Sequence, residues 1–155
     1  MSRPSKKKQT NYGEELNTLL DKGRFYLHAR RFSQALSVYK KALSIASKEQ
    51  KHRVLNGMGN IYRSSGTHDL KKLRQSVNLY HKAIKDSSSL YHGLYFSNLS
   101  ASLAALDKWG EAIETAKKAI ELLRRDEKKG IPHGNQIKIL ELEVGLYREH
   151  EKREK

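Results

Sequence analysis

The sequence contains no cysteine, and among its 155 residues it has two prolines, two methionines and one tryptophan. Without cysteine it can form neither disulfides nor thiolate zinc sites. Its apolar runs are far shorter than the ~20 residues of a membrane-spanning helix. The N-terminal segment MSRPSKKKQT has no apolar stretch of the secretory kind. We therefore expect a protein of the cytoplasm or nucleus without a membrane partner.

Acidic residues are also scarce. There are 17 of them against 31 lysines and arginines, which gives a net charge of +14 with neutral histidines. This balance favours partners with acidic surfaces, whether protein or nucleic acid. Residues 1–12, with their run of three lysines, are predicted to form a disordered basic tail. Such a run can also act as a nuclear signal or contact phosphates.

One helical pattern is present three times. Apolar and small residues recur at the i, i+3, i+4, i+7 spacing of a helix with one buried stripe. The copies are Ala35–Tyr39–Ala42, Ser76–Tyr80–Ala83 and Ala112–Ala116–Ala119. Repetition at this period predicts helix pairs that stack side by side.

The repeats are predicted at about residues 16–48, 52–86 and 91–125, inside a domain that spans residues 13–150. A last helix at 132–150 is expected to cover the open end of the stack. The second copy carries about five extra residues at 67–72, which should lie in the turn or lengthen the next helix. Ser33 is predicted to cap the second helix, and Gly66 to end the third helix in a left-handed conformation.

These residues resemble the tetratricopeptide repeat family, whose motif combines Leu-Gly and Tyr on one helix with Ala, an aromatic residue and Ala on the next. The first copy supplies Leu19, Gly23, Tyr26, Phe32, Ala35, Tyr39 and Ala42. The resemblance implies an all-α fold. It would be a right-handed superhelix of three antiparallel helix pairs with a C-terminal capping helix.

Catalytic patterns are not evident. The seven histidines share no metal-ligand spacing with a carboxylate on one helix face, and no phosphate-binding loop follows a strand. The serines lack a paired histidine and acid at a usable spacing. We therefore expect neither an enzyme nor a bound cofactor or metal.

The resemblance also implies that the first helix of each pair lines a concave groove, which holds an extended peptide or a helix. The lining positions carried over to this sequence are Arg24, Leu27, His28, Arg53, Asn56, Asn60, Arg63 and Asn98. Arginine pairs with carboxylates through two hydrogen bonds, and asparagine can bind a passing backbone. These positions include no acid, so we expect an adaptor or scaffold that binds an acidic peptide or helix of a partner protein.

Two alternatives stay open. Some members of the family clamp the acidic EEVD tails of heat-shock chaperones. Asn60 and Asn98 fit that clamp, although Asn56 stands where a lysine is expected. The charge of +14 and the lysine run also fit a nucleic-acid-associated assembly factor, and the chain could be a subunit of a larger complex.

Overall fold

A computed structural model describes the backbone of residues 6–155 and the side chains of residues 12–88 and 90–155. Within these residues the chain forms seven α-helices and no strand. They are α1 (Lys6–His28), α2 (Phe32–Ile45), α3 (Lys51–Ser65), α4 (Leu70–Asp86), α5 (Ser89–Ala105), α6 (Trp109–Lys128) and α7 (Gln136–Arg153).

Each helix packs on the next one in the chain. In addition, α1 touches α3 and α3 touches α5, so these three helices lie side by side. The fold is therefore an all-α stack of helix pairs, as the periodicity predicts, and it is consistent with the tetratricopeptide-type solenoid that the resemblance implies.

Small residues occupy the crossings between helices. The three repeated sets that define the sequence pattern are all buried, at 0 to 3% exposure. Serine replaces alanine at Ser76, where its hydroxyl donates to the Leu73 carbonyl at 2.7 Å and lies 2.8 Å from the Ser102 Oγ. A buried hydroxyl is thus accommodated because its hydrogen bonds are made inside the stack.

Two tyrosines fill the spaces beside these crossings. The ring of Tyr39 lies between Gly23 and Gly57, and a Cβ added at Gly23 would come within 2.5 Å of it. A Cβ at Gly59 would lie 2.6 Å from the ring of Tyr80. Glycine is needed at these places because the tyrosine rings occupy the volume of a side chain.

The insertion in the second repeat lengthens a helix. Helix α4 begins six residues before Ser76, whereas α2 begins three residues before the equivalent Ala35. Asp69 caps the longer helix, because its carboxylate accepts from the backbone N–H groups of Lys71 and Lys72 at 3.0 and 3.2 Å. About one extra turn therefore accommodates much of the insertion.

The predicted cap is wrong at two helix ends, although α3 does end just before Gly66. The Ala35 N–H donates to the Arg31 carbonyl, so Arg31 is the N-cap and α2 begins at Phe32. Ser33 therefore lies inside the helix. Gly66 has φ −103° and is not left-handed. Arg30 and Asp107 have φ of 56° and 57°, so the left-handed residue lies in the tight turns of the first and third pairs.

The tail predicted at residues 1–12 also requires correction. Helix α1 begins at Lys6, while residues 1–5 lie outside the described residues. The segment from Lys6 to Tyr12 contains no proline or glycine, and its lysines and glutamine are good helix formers. The helix can therefore extend several residues ahead of its first buried side chain.

Helix α7 covers the exposed side of α6. Its buried stripe consists of Ile137, Leu140 and Val144, and Tyr147 packs beside them. At the far end, the Trp109 indole donates to Glu154 at 2.9 Å and stacks on His150. The last helix is thus joined to the third pair along its length.

Candidate functional site

Two adjoining hollows lie on the side of the stack formed by α1, α3 and α5. One has a volume of about 260 Å³ and the other about 430 Å³. They share Arg24 and Asn60, so they form a single depression, which we call the groove. Its walls are Leu20, Arg24, Leu27, His28, Arg30, Phe32, Tyr39, Arg53, Asn56, Gly57, Asn60, Arg63, Ser64, Tyr91, Leu94 and Tyr95.

The structure brings together the eight positions carried over from the repeat pattern. Seven of them line the groove: Arg24, Leu27, His28, Arg53, Asn56, Asn60 and Arg63. The eighth, Asn98, is not a lining residue and instead donates its Nδ2 to the Asn56 Oδ1 at 2.9 Å. Its position behind Asn56 makes it a support for the groove wall.

A chain of hydrogen bonds fixes the orientation of one asparagine. The Arg63 Nε donates to the Tyr80 hydroxyl at 3.2 Å, and that hydroxyl donates to the Asn60 Oδ1 at 2.7 Å. The order is forced, because a guanidinium can only donate and tyrosine has one proton to pass on. Asn60 therefore accepts through its oxygen and can offer its N–H groups to a ligand. Burial raises the pKa of Tyr80, with the charge of Arg63 opposing it, so the phenol keeps its proton.

The other amides are arranged in the same way. The Arg53 guanidinium donates to the Asn17 Oδ1 at 3.0 Å, and Asn98 donates to the Asn56 Oδ1. In each case an asparagine oxygen is already occupied from within the protein. Asn17 lies outside the groove walls, whereas Asn56 and Asn60 belong to them. Together with the arginines, Asn56 and Asn60 therefore present hydrogen-bond donors to a ligand.

Several carboxylates lie near the groove, although no described residue of its walls carries one. Glu49 and Asp86 line a neighbouring hollow that shares Arg53 and Tyr91 with the groove. Asp21 forms an exposed ion pair with Arg24. Burial raises the pKa of Glu143 on α7, and the positive charge of Arg63 acts against that shift. An acid from the last helix thus lies within the field of a groove arginine, which the repeat pattern could not predict.

The α5 side of the groove is aromatic. The His52 Nδ1 and the Tyr95 hydroxyl are joined by a hydrogen bond of 2.8 Å. Tyr91 stacks on Tyr95 and lies 4.7 Å from the His52 ring, centroid to centroid. Burial raises the pKa of Tyr95 far above its usual range and lowers the pKa of His52, so both groups favour their neutral forms. The cluster ties α3 to α5 beside the groove.

Part of the chain matches a known protein family. Residues 18–53, which contain the C-terminal part of α1, all of α2 and the start of α3, match the tetratricopeptide repeat family. The match covers 36 of the 155 residues, and the seven packed helices are consistent with a small repeat protein of the tetratricopeptide type. A search of curated proteins found no matching relative.

Neither a metal site nor a membrane span is found in the described part of the chain. Among the described side chains, no group of three or more histidines and acids could hold a metal ion. None of the described helices is long and apolar enough to cross a membrane. The groove itself presents arginines, amides and an aromatic wall.

Sequence reasoning missed the aromatic part of this site. Tyr91 and Tyr95 lie one helical turn apart on α5, and both line the groove. That i, i+4 spacing was visible, but only the fold shows that the pair faces α3. Arg30 and Phe32 lie where α1 gives way to α2, and both line the groove.

Proposed function

We propose that this helical repeat protein is a non-enzymatic adaptor that holds an acidic peptide or helix of a partner protein in the groove. Tetratricopeptide repeats support protein–protein interaction in general. The acidic ligand is our inference, and the observation that carries it is the uniform direction of the hydrogen bonds. Arg63, Asn60 and their neighbours offer donors, and carboxylates and backbone carbonyls are acceptors.

The aromatic wall adds a second requirement. Tyr91 and Leu94 are partly exposed at the groove surface, and Leu94 is 41% exposed. A ligand that places a large apolar side chain there would bury area that carboxylate contacts alone cannot supply. We therefore expect the preferred peptide to combine acidic residues with an aromatic or aliphatic one.

Fluorescence anisotropy with a small panel of labelled peptides tests this proposal. The reference peptide carries acidic residues around a central leucine, and its controls replace the acids by their amides or the leucine by alanine. Removing the acids should weaken binding by about a hundredfold, since charged hydrogen bonds contribute about 1.5–3 kcal/mol each. Equal binding of the acidic and amide peptides would refute the proposal.

A second candidate is capture of a C-terminal carboxylate, as in the chaperone-tail clamp. The free N–H groups of Asn60 favour it, whereas Asn98 donates to Asn56 instead of facing the groove. Amidating the C-terminus of the reference peptide separates the two cases. A loss of more than about tenfold supports tail capture, and an unchanged affinity supports binding of an internal acidic segment.

A further inference from the structure

Charge is distributed unevenly along the chain. Residues 1–104 contain 19 lysines and arginines and six acids, a net charge of +13. Residues 105–155 contain 12 and 11, a net charge of +1. The groove arginines explain only a small part of this excess.

Helix α4 concentrates part of the excess on one exposed line. Lys71, Arg74, Asn78, Lys82 and Lys85 are spaced by three, four, four and three residues, which places them on one face of a helix. All five are exposed, and they lie opposite the buried residues of the same helix. At 1.5 Å per residue this line is about 21 Å long. We call these five residues the α4 stripe.

The cations of the stripe are not neutralised by the protein. Among the described side chains, no carboxylate lies within ion-pair distance of any of the four. Two acids flank the stripe in sequence. Asp69 accepts two backbone N–H groups as the helix cap, and Asp86, which follows Lys85 directly, forms no ion pair with Lys82 or Lys85.

Helix α6, which occupies the equivalent place in the third repeat, provides an internal comparison. Lys117 pairs with Glu114 at 2.7 Å, and Lys118 pairs with Glu121 at 3.2 Å. The same kind of surface is therefore neutral in one repeat and cationic in the other. Unpaired like charges on one helix face lower the stability of the helix, so the stripe is not explained by folding.

The chemistry of the stripe selects among anionic partners. A membrane-bound amphipathic helix needs a free apolar face, but the apolar face of α4 is buried in the stack. Protein interfaces are depleted in lysine and centred on apolar anchors, and the stripe has three lysines and no apolar member. It also has no aromatic residue on which unpaired bases could stack. Of the anionic partners considered, the phosphates of a nucleic-acid duplex are left, and they suit a row of exposed cations.

We propose that the α4 stripe binds the phosphate backbone of duplex nucleic acid without sequence preference. Lysine and arginine contact phosphate oxygens, and the exposed amide of Asn78 can donate a further hydrogen bond. No residue of the stripe lines the groove. The protein would thus have two separate binding surfaces, and this inference does not depend on the ligand of the groove.

Anisotropy with a short labelled DNA or RNA duplex tests the proposal, measured in salt from about 50 to 200 mM. Four phosphate contacts predict that the logarithm of the binding constant falls with the logarithm of salt concentration with a slope of about −3.6. In the variant Lys82→Gln with Lys85→Gln the slope should become shallower by about two. Binding at the lowest salt should weaken about tenfold or more.

The matched control is Lys117→Gln with Lys118→Gln, which removes the same net charge from α6. The control should bind the duplex within about twofold of the original protein. Equal losses in the two variants would show that only net charge matters and would overturn the proposal. Binding to vesicles with anionic lipids or to polyglutamate, with no binding to either duplex, would overturn it as well.

Discussion

The first five helices and the last two belong to one stack, but they differ in how their surface charges are paired. The groove and the α4 stripe, both in the first region, keep most of their cations unpaired. In α6 and α7, lysines and arginines pair with glutamates of the same or the neighbouring helix, as in Lys118–Glu121 and Arg124–Glu141. Surface ion pairs contribute little to stability, so a cation can stay unpaired at little cost. The two regions differ in how many of their cations are paired.

The cores differ too. In the first region a tyrosine ring lies against glycines, as Tyr39 does beside Gly23 and Gly57. Around α6 and α7 the core is aliphatic, and Leu123 takes the space beside Gly93. The Tyr80 hydroxyl donates to Asn60 on the groove side, which leucine cannot do. In the second region the buried polar residue is Asp126, which lies 3.6 Å from His133 and away from the groove walls.

The largest effect should come from a buried charge in either region. Ala42→Glu and Ala119→Glu each place a carboxylate at a position that is 0% exposed. Burying an unpaired charge costs several kcal/mol, which is comparable with the whole stability of a small domain. Both variants should therefore lose helicity in far-ultraviolet circular dichroism.

The matched control for this pair is Lys40→Glu, an exposed position on the same helix as Ala42. It should keep its helical spectrum and its urea midpoint. If only one of the two alanine variants unfolds, the two regions do not share one packing rule.

A glycine in each region sharpens the comparison of the cores. In Gly57→Ala the new methyl group meets the buried Tyr39 ring, which Gly23 confines from the other side. We expect the free energy of unfolding to decrease by about 1–3 kcal/mol. In Gly145→Ala nothing lies within 4 Å of the new Cβ, so higher helix propensity should stabilise the protein by about 0.5–1 kcal/mol. Urea unfolding of both variants measures the two signs, and equal signs would contradict this account.

The first region should also carry a pH dependence through His52. Its pKa is lowered by burial and by Arg53, against the smaller opposing effects of the Glu49 backbone carbonyl and Asp86. The unfolded chain takes up the proton near the ordinary pKa of about 6.5, before the folded protein does. The free energy of unfolding should therefore decrease as pH falls below that value, by at most about 1.4 kcal/mol per pH unit.

Urea unfolding at several pH values, with His52→Gln as the comparison, isolates this effect. The variant should lose less stability on acidification, because its side chain binds no proton. The contribution of His52 should level off once the pH falls below its lowered folded pKa. Parallel pH curves for the two proteins would show that His52 is not responsible.

The smallest effect concerns the surface charges themselves. Lys117→Ala with Lys118→Ala removes two ion pairs of α6 and should cost about 0.2–0.5 kcal/mol per pair. Lys82→Ala with Lys85→Ala removes unpaired like charges from α4, so it should leave stability unchanged or raise it slightly at low salt. Thermal unfolding at low and high salt compares the two variants, and high salt should reduce the difference. Losses of equal size would remove the distinction between the regions.

Much of the fold follows from the sequence because small residues at helix crossings repeat with a visible period. The three sets around Tyr39, Tyr80 and Ala116 predict the buried stripes and hence the stacking of the pairs. Helix ends are less predictable. Ser33 is a good capping residue, but it lies two positions inside the helix. Gly66 is needed because its backbone lies close to the Tyr62 carbonyl, and it does not form a left-handed turn.

The candidate site follows from the sequence only in part. The repeat period places Arg24, Arg53 and Arg63 on the inner helices, and the structure finds them in one groove. The direction of the bond from Tyr80 to Asn60 depends on which side chains meet across helices, and no local pattern encodes that. The approach of Glu143 to the groove depends on the path of α7, which the sequence leaves undefined.

The most direct measurement is calorimetric titration of the acidic, leucine-containing peptide into two charge-reversal variants. Arg24→Glu with Arg63→Glu alters the groove, and Lys117→Glu with Lys118→Glu makes the same change in net charge on α6. Both should keep their helical spectra. We predict a loss of at least about tenfold in affinity for the groove variant and less than about twofold for the α6 variant. Equal affinities in the two variants would contradict the assignment of the groove as the binding site.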